Sequence, residues 1–130
     1  MVKIFLVEDD QSLANMYKTE LELSGYEVTV HNKGSGVIEK VKSVSPDIVL
    51  LDIMLPDKSG VEVLEDLKSD ISVKNIPVMM LTNFGNDEFI KQALENGAED
   101  YVLKHKITPS ELASKVLNIL TGERKKISPA

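Results

Sequence analysis

Short apolar runs alternate with longer amphipathic stretches five times along the chain, and that rhythm limits the fold more than any other feature. Residues 4–7, 48–51 and 78–81 are apolar without interruption, which reads as strands buried on both faces. Residues 26–30 alternate apolar and polar, as suits a half-exposed edge strand, and residues 101–103 form a short last strand. Between these runs apolar residues recur at helical spacing: Leu13, Met16, Tyr17 and Leu21; Val37, Ile38, Val41 and Val44; Val61, Leu64, Leu67 and Ile71; Leu112, Val116, Ile119 and Leu120. A further helix runs from Asn86, a capping residue, to Gly97, with Asp87 and Glu88 in its first turn. Ser59 with Glu62, and Thr108 with Glu111, have capping-box spacing, and Pro109 stands at a first helical position.

Strict strand–helix alternation predicts a parallel sheet covered by helices on both faces. Right-handed crossovers prune the topologies. The amphipathic second strand belongs at an edge, which favours the order 2-1-3-4-5, a doubly wound five-stranded α/β sandwich of flavodoxin-like type. The 130 residues make one domain of ordinary size. The net charge of −6 argues against a free-standing nucleic-acid binder, and the absence of cysteine excludes disulfides, thiolate metal sites and cysteine nucleophiles. Two histidines leave little for a histidine-rich zinc site, and His31, after the edge strand, reads as a surface residue. No apolar run approaches the ~18–20 residues that span a bilayer. The first apolar run ends at once in Glu8, too soon for a secretory signal. A cytoplasmic protein is expected.

In a sheet of this type ligands bind beyond the carboxyl ends of the strands, near the switch in strand order. The residues there are Glu8, Asp9 and Asp10 after the first strand, Asp52 after the third, Thr82 after the fourth and Lys104 after the fifth. Taken singly each has a plainer reading: a helix cap for Asp9 and Asp10, a turn for Asp52, a loop cap for Thr82, a solvated lysine for Lys104. Taken together, Asp9, Asp10 and Asp52 converge beside a hydroxyl and an ammonium. Two such carboxylates about 4 Å apart repel by roughly 4 kcal/mol at an effective dielectric near 20. Mg2+, a hard cation that takes carboxylates, a backbone carbonyl and waters, removes the conflict and commonly shares its site with phosphate. A carboxylate can attack phosphorus to give an aspartyl phosphate, with Lys104 and Thr82 supplying positive charge and a donor.

Four segments carry a family resemblance: residues 4–10, 46–56, 77–82 and 97–104. Together they resemble the receiver (response regulator) domain of two-component signalling over about residues 2–121. The chain is accordingly expected to divide into a regulatory domain of residues 1–122 and residues 123–130, whose three basic residues and one acid read as a basic tail or the start of a linker. The resemblance implies that Asp52 is the phosphoacceptor, charged by a histidine kinase or phosphotransfer protein, and that Asp9, Asp10, Asp52 and the main-chain carbonyl of Met54 hold Mg2+. It further implies that Lys104 pairs with the phosphoryl group, and that Thr82 and Tyr101 form the switch. Such a domain is no enzyme in the ordinary sense, although it assists its own phosphorylation and dephosphorylation. Its conformational change would act on a downstream protein, or promote a homodimer through the mixed-charge face of Lys91, Glu99, Asp100 and Lys115.

Two positions depart from the family pattern. His105 stands where proline usually follows the lysine; a cis bond before a non-proline costs ~2.5–4 kcal/mol, so a trans Lys104–His105 bond is expected. Asn83 and Phe84 stand where a small residue usually follows the switch hydroxyl. Other readings fit less well. A phosphohydrolase with an aspartyl nucleophile would want an acid two residues after Asp52, where Met54 stands. A flavin or nucleotide binder would want a loop rich in glycine, serine and threonine after the first strand, where three acids stand. A receiver that binds partners without phosphorylation would not need Asp10, Asp52, Thr82 and Lys104 intact.

Overall fold

The five apolar runs form one parallel sheet in the order β2-β1-β3-β4-β5 in the computed structural model, which describes residues 1–83 and 85–122. The strands are β1 (Lys3–Val7), β2 (Glu27–His31), β3 (Ile48–Leu51), β4 (Val78–Thr82) and β5 (Asp100–Leu103). The helices are α1 (Gln11–Leu23), α2 (Val37–Val44), α3 (Gly60–Ser69), α4 (Asp87–Glu95) and α5 (Pro109–Thr121). The expectations for Phe84 and for the basic tail lie outside the described residues. The alternating second strand is at the edge, as its pattern requires. No described helix is long and apolar enough to cross a membrane.

Side chains alternate across each strand, so each strand feeds two cores. Phe5, Val7, Val49, Leu51, Val78 and Met80 pack with residues of α2, α3 and α4 on one face. Ile4, Leu6, Ile48, Leu50, Met79 and Leu81 pack with α1 and α5 on the other. This double burial explains why β1, β3 and β4 read as unbroken apolar runs. The caps are where the spacing put them: Ser59 and Glu62 close a capping box on α3, Thr108 and Glu111 close one on α5, and Asn86 accepts from two amides of α4.

Three expectations need correction. Met16 is 41% exposed, because α1 turns Ala14, Tyr17 and Leu21 inward instead. Ile71 is not on the α3 stripe. The Asp70 carboxylate accepts from the Ser72 amide and hydroxyl, a local turn that competes with another helical turn, and Ile71 is left 83% exposed. His31 is not a plain surface residue. It is the last residue of β2, its ring stacks on the buried Phe5 with centroids 5.8 Å apart, and its Nε2 lies 2.7 Å from the Ser35 carbonyl.

Candidate functional site

Strand register decides which polar groups meet. Val7 pairs with Leu51 across β1 and β3, so the first residues beyond these two strands, Glu8 and Asp52, emerge side by side. The Asp52 amide donates to the Val7 carbonyl (3.2 Å) and the Glu8 amide to the His31 carbonyl (3.0 Å), carrying the ladder one residue past the strand ends. On the far side Thr82 pairs with Leu103, so Lys104, the next residue, projects over the same end of the sheet. Lys104 opens a short 3-10 turn, Lys104–Lys106. No cis peptide bond occurs among the described residues, so the Lys104–His105 bond is trans, as its cost predicted. The lysine reaches the site without proline after it.

Lys104 Nζ donates to Asp52 Oδ2 at 2.8 Å and to Glu8 Oε1. The three side chains are only 7%, 7% and 2% exposed, in that order, so this is a buried ionic triad. The remaining oxygens are also engaged: Glu8 Oε2 accepts from the Asp10 amide at 3.1 Å, and Asp52 Oδ1 from the Met54 amide at 3.3 Å. Burial pushes the Glu8 carboxyl above its ordinary 4.5, although the Lys104 bond, the Asp10 amide and the Lys104 charge all favour the ionised form. Burial alone would lower the Lys104 ammonium, but its bonds to Asp52 and Glu8 outweigh burial and hold it above 10.5. Thr82, buried at the end of β4, and the exposed Asn83 line the same cleft. Tyr101 is half-buried on β5, and burial, with the Asp52 charge adding, pushes its hydroxyl up to about 12.

Glu8, Asp9 and Asp52 each offer a carboxylate oxygen, all within 4.8 Å of one another. Three hard oxygen donors of this kind suit Mg2+. The acid pair expected from the sequence was Asp9 with Asp10. Asp10 lines the cleft, and its Oδ1 accepts from the Leu13 amide at 3.0 Å and caps α1, while the close group of three carboxylates brings in Glu8 beside Asp9 and Asp52. The signal was present in the sequence: Glu8 directly follows the last apolar residue of β1, as Asp52 follows that of β3.

Gly60 is a second residue that sequence reasoning missed. A Cβ there would sit 2.0 Å from the main-chain oxygen of Asp52 and 2.8 Å from the Ile53 Cα. These are backbone atoms, so relief requires the loop that follows Asp52 to move. Gly60→Ala is expected to cost about 3 kcal/mol, the upper range for overpacking. Urea denaturation measures that cost, and an unchanged midpoint would show that the loop yields freely.

Lys115 Nζ lies 3.3 Å from Asp100 Oδ2. Part of the mixed charge expected on the face of α4, β5 and α5 is therefore paired within the chain.

Residues 4–117 match the family described as the response regulator receiver domain. The chain is 38% identical over 114 residues to the DNA-binding response regulator MtrA of Mycolicibacterium smegmatis, a match covering 88% of this chain and 48% of that protein. The chain thus spans about half the length of that curated relative. Its backbone is similar to a CheY-like receiver domain protein from Methanospirillum hungatei JF-1, with TM-score 0.87 and 28% identity over 97% of this chain and 98% of that one. It is also similar to the BeF3-activated N-terminal receiver domain of RstA from Klebsiella pneumoniae, with TM-score 0.84 and 34% identity over 91% of this chain and 97% of that one.

Proposed function

This chain belongs to the response regulator receiver domain family of two-component signalling, and from that premise we propose that it is a switch driven by phosphorylation of Asp52. The observation that carries the reading is the buried lysine bridging Asp52 and Glu8. A cation is already stationed where a phosphoryl group on Asp52 would bring charge, so little reorganisation is needed at the moment of transfer. A carboxylate oxygen of Asp52 forms the new bond to phosphorus. The bond from phosphorus to the donor breaks, and its electron pair leaves with the donor, which is the imidazole of a histidine kinase or phosphotransfer protein. Lys104 and Thr82 donate to the phosphoryl oxygens. Glu8, Asp9, Asp52 and the Met54 carbonyl would hold Mg2+, whose charge offsets the carboxylates and the incoming phosphoryl group. The new contacts at Thr82, with Tyr101 on the neighbouring strand β5, favour one of two conformations of the chain. A downstream protein or a second copy of the chain reads that change on α4, β5 and α5.

Magnesium tests the site before any phosphodonor is added. At 100 times its dissociation constant it should stabilise the fold by about 2.7 kcal/mol. Asp9→Asn should blunt the gain, and Asp47→Asn, at the opposite end of the sheet, should not. If Asp10→Asn blunts it as much as Asp9→Asn does, the cap residue also shares the ion. A melting temperature indifferent to magnesium would remove the metal from the account. With acetyl phosphate as donor, the intact mass should rise by one phosphoryl group, and only while magnesium is present. No gain under any condition would reject phosphorylation as the switch.

A further inference from the structure

Just beyond Asp52 the chain doubles back on itself. The Ile53 carbonyl accepts from the Leu55 amide (3.2 Å) and the Gly60 amide (2.8 Å), and a bridge joins Met54 to Ser59. Asp57 stands at the tip of this loop. Its Oδ1 accepts from the Gly34 amide at 2.7 Å and its Oδ2 from the Ser35 amide at 2.8 Å, both in the connection from β2 to α2. These bonds, the Gly34 amide foremost, hold the Asp57 carboxyl down at about 2, so the bracket is ionised at any physiological pH. The two loops meet closely. A Cβ on Gly34 would fall 2.3 Å from Lys58 Cγ and 3.2 Å from Asp57 Oδ1, so a larger residue there would have to displace these two side chains.

From Ser35 the contacts lead back to the site. The Ser35 carbonyl lies 2.7 Å from His31 Nε2, the His31 ring stacks on Phe5, and the His31 carbonyl accepts from the Glu8 amide at 3.0 Å. Glu8 and Asp52 then share Lys104. The circuit closes: the acceptor loop, Asp57, the β2–α2 connection, His31, Glu8, Lys104 and Asp52 again.

We infer that Asp57 is a positioning residue for phosphoryl transfer at Asp52, tying the acceptor loop to the β2–α2 connection so that Glu8 and the Met54 main chain keep their places beside the acceptor. This rests on the reading of Asp52 as the phosphoacceptor. Asp57 touches neither donor nor acceptor. Its loss should therefore slow transfer without weakening the encounter with the donor.

The test follows phosphorylation of the full chain by acetyl phosphate, in the parent and in Asp57→Ala and Asp57→Asn. The asparagine keeps the shape but turns an amide donor toward one of the two N–H groups, and it serves if the alanine variant does not fold. The maximal labelling rate should fall by roughly tenfold in both, within the ~100-fold that a misplacement of about 1 Å can cost. Half-saturating acetyl phosphate should stay unchanged. In amide spectra Gly34 and Ser35 should both lose their bonded shifts in Asp57→Ala, and one of them should in Asp57→Asn, and Glu8 and Met54 should move with them. Full labelling rates in a variant whose Gly34 and Ser35 amides have moved would overturn the positioning role. So would movement at Gly34 and Ser35 with none at Glu8 and Met54. A parent that takes no label would overturn the reading of Asp52, and the role of Asp57 in transfer with it.

Discussion

Replacing Lys104 with methionine is expected to destabilise the fold by about 3–5 kcal/mol at neutral pH, the range for removing one partner of a buried ion pair. The stem of methionine fills much the same space, so packing changes little. What is lost is the only cation in the triad. Glu8 and Asp52 would remain side by side at 2% and 7% side-chain exposure, with like charge and no ammonium between them. The deficit should depend on pH. In the folded parent Glu8 already holds its proton above 4.5. Across the window from 4.5 up to that raised value the native state binds a proton that the unfolded chain has released, so stability falls as pH rises. Without Lys104 the window widens, and protonation below 4.5 removes most of the like-charge conflict. The methionine variant should therefore approach the parent in mildly acidic buffer and fall furthest behind it at neutral pH. Lys104 itself acts in the opposite direction at the alkaline end. Its stabilisation is complete below 10.5 and is lost as pH climbs past its raised folded value. Urea denaturation of both proteins across pH measures these terms. A deficit that is the same at acid and neutral pH would mean that the triad does not carry the charge balance described here.

Magnesium offers the variant a second route to the same compensation. A divalent cation among Glu8, Asp9 and Asp52 would do part of what the ammonium does, so its stabilising effect should be larger in Lys104→Met than in the parent.

The sheet order was legible because burial writes itself directly into composition. Strands covered on both faces, such as residues 48–51, carry no polar alternation, whereas Glu27 and Thr29 in β2 mark an edge. The capping boxes at Ser59 and Thr108 were legible for a similar reason, since their chemistry is local and fixed by spacing. Asp52, Thr82 and Lys104 could be placed at one end of the sheet because each ends or directly follows an apolar strand. The choice among Glu8, Asp9 and Asp10 was harder. It depends on which residue the register sets opposite Asp52 and which turns back to cap α1. Residue types alone do not separate three consecutive acids. Gly60 and Asp57 were out of reach for a different reason: their roles come from contacts between loops, with the Asp52 main chain in one case and the Gly34 and Ser35 amides in the other. Met16 and Ile71 show the limit of periodicity. A stripe gives the helix but not its rotation by one residue or the point where a side-chain turn stops it.

Asp52→Asn is the most direct test of the account. The amide keeps the shape of the carboxylate and can still accept from Lys104, so the fold should persist. Its oxygen no longer has the charge to attack phosphorus. Incubated with acetyl phosphate and magnesium, the parent should gain one phosphoryl group by intact mass, and Asp52→Asn should gain none. A variant that still takes the label, at Asp9 or any other carboxylate, would contradict the assignment of Asp52 as the acceptor and the mechanism built around it.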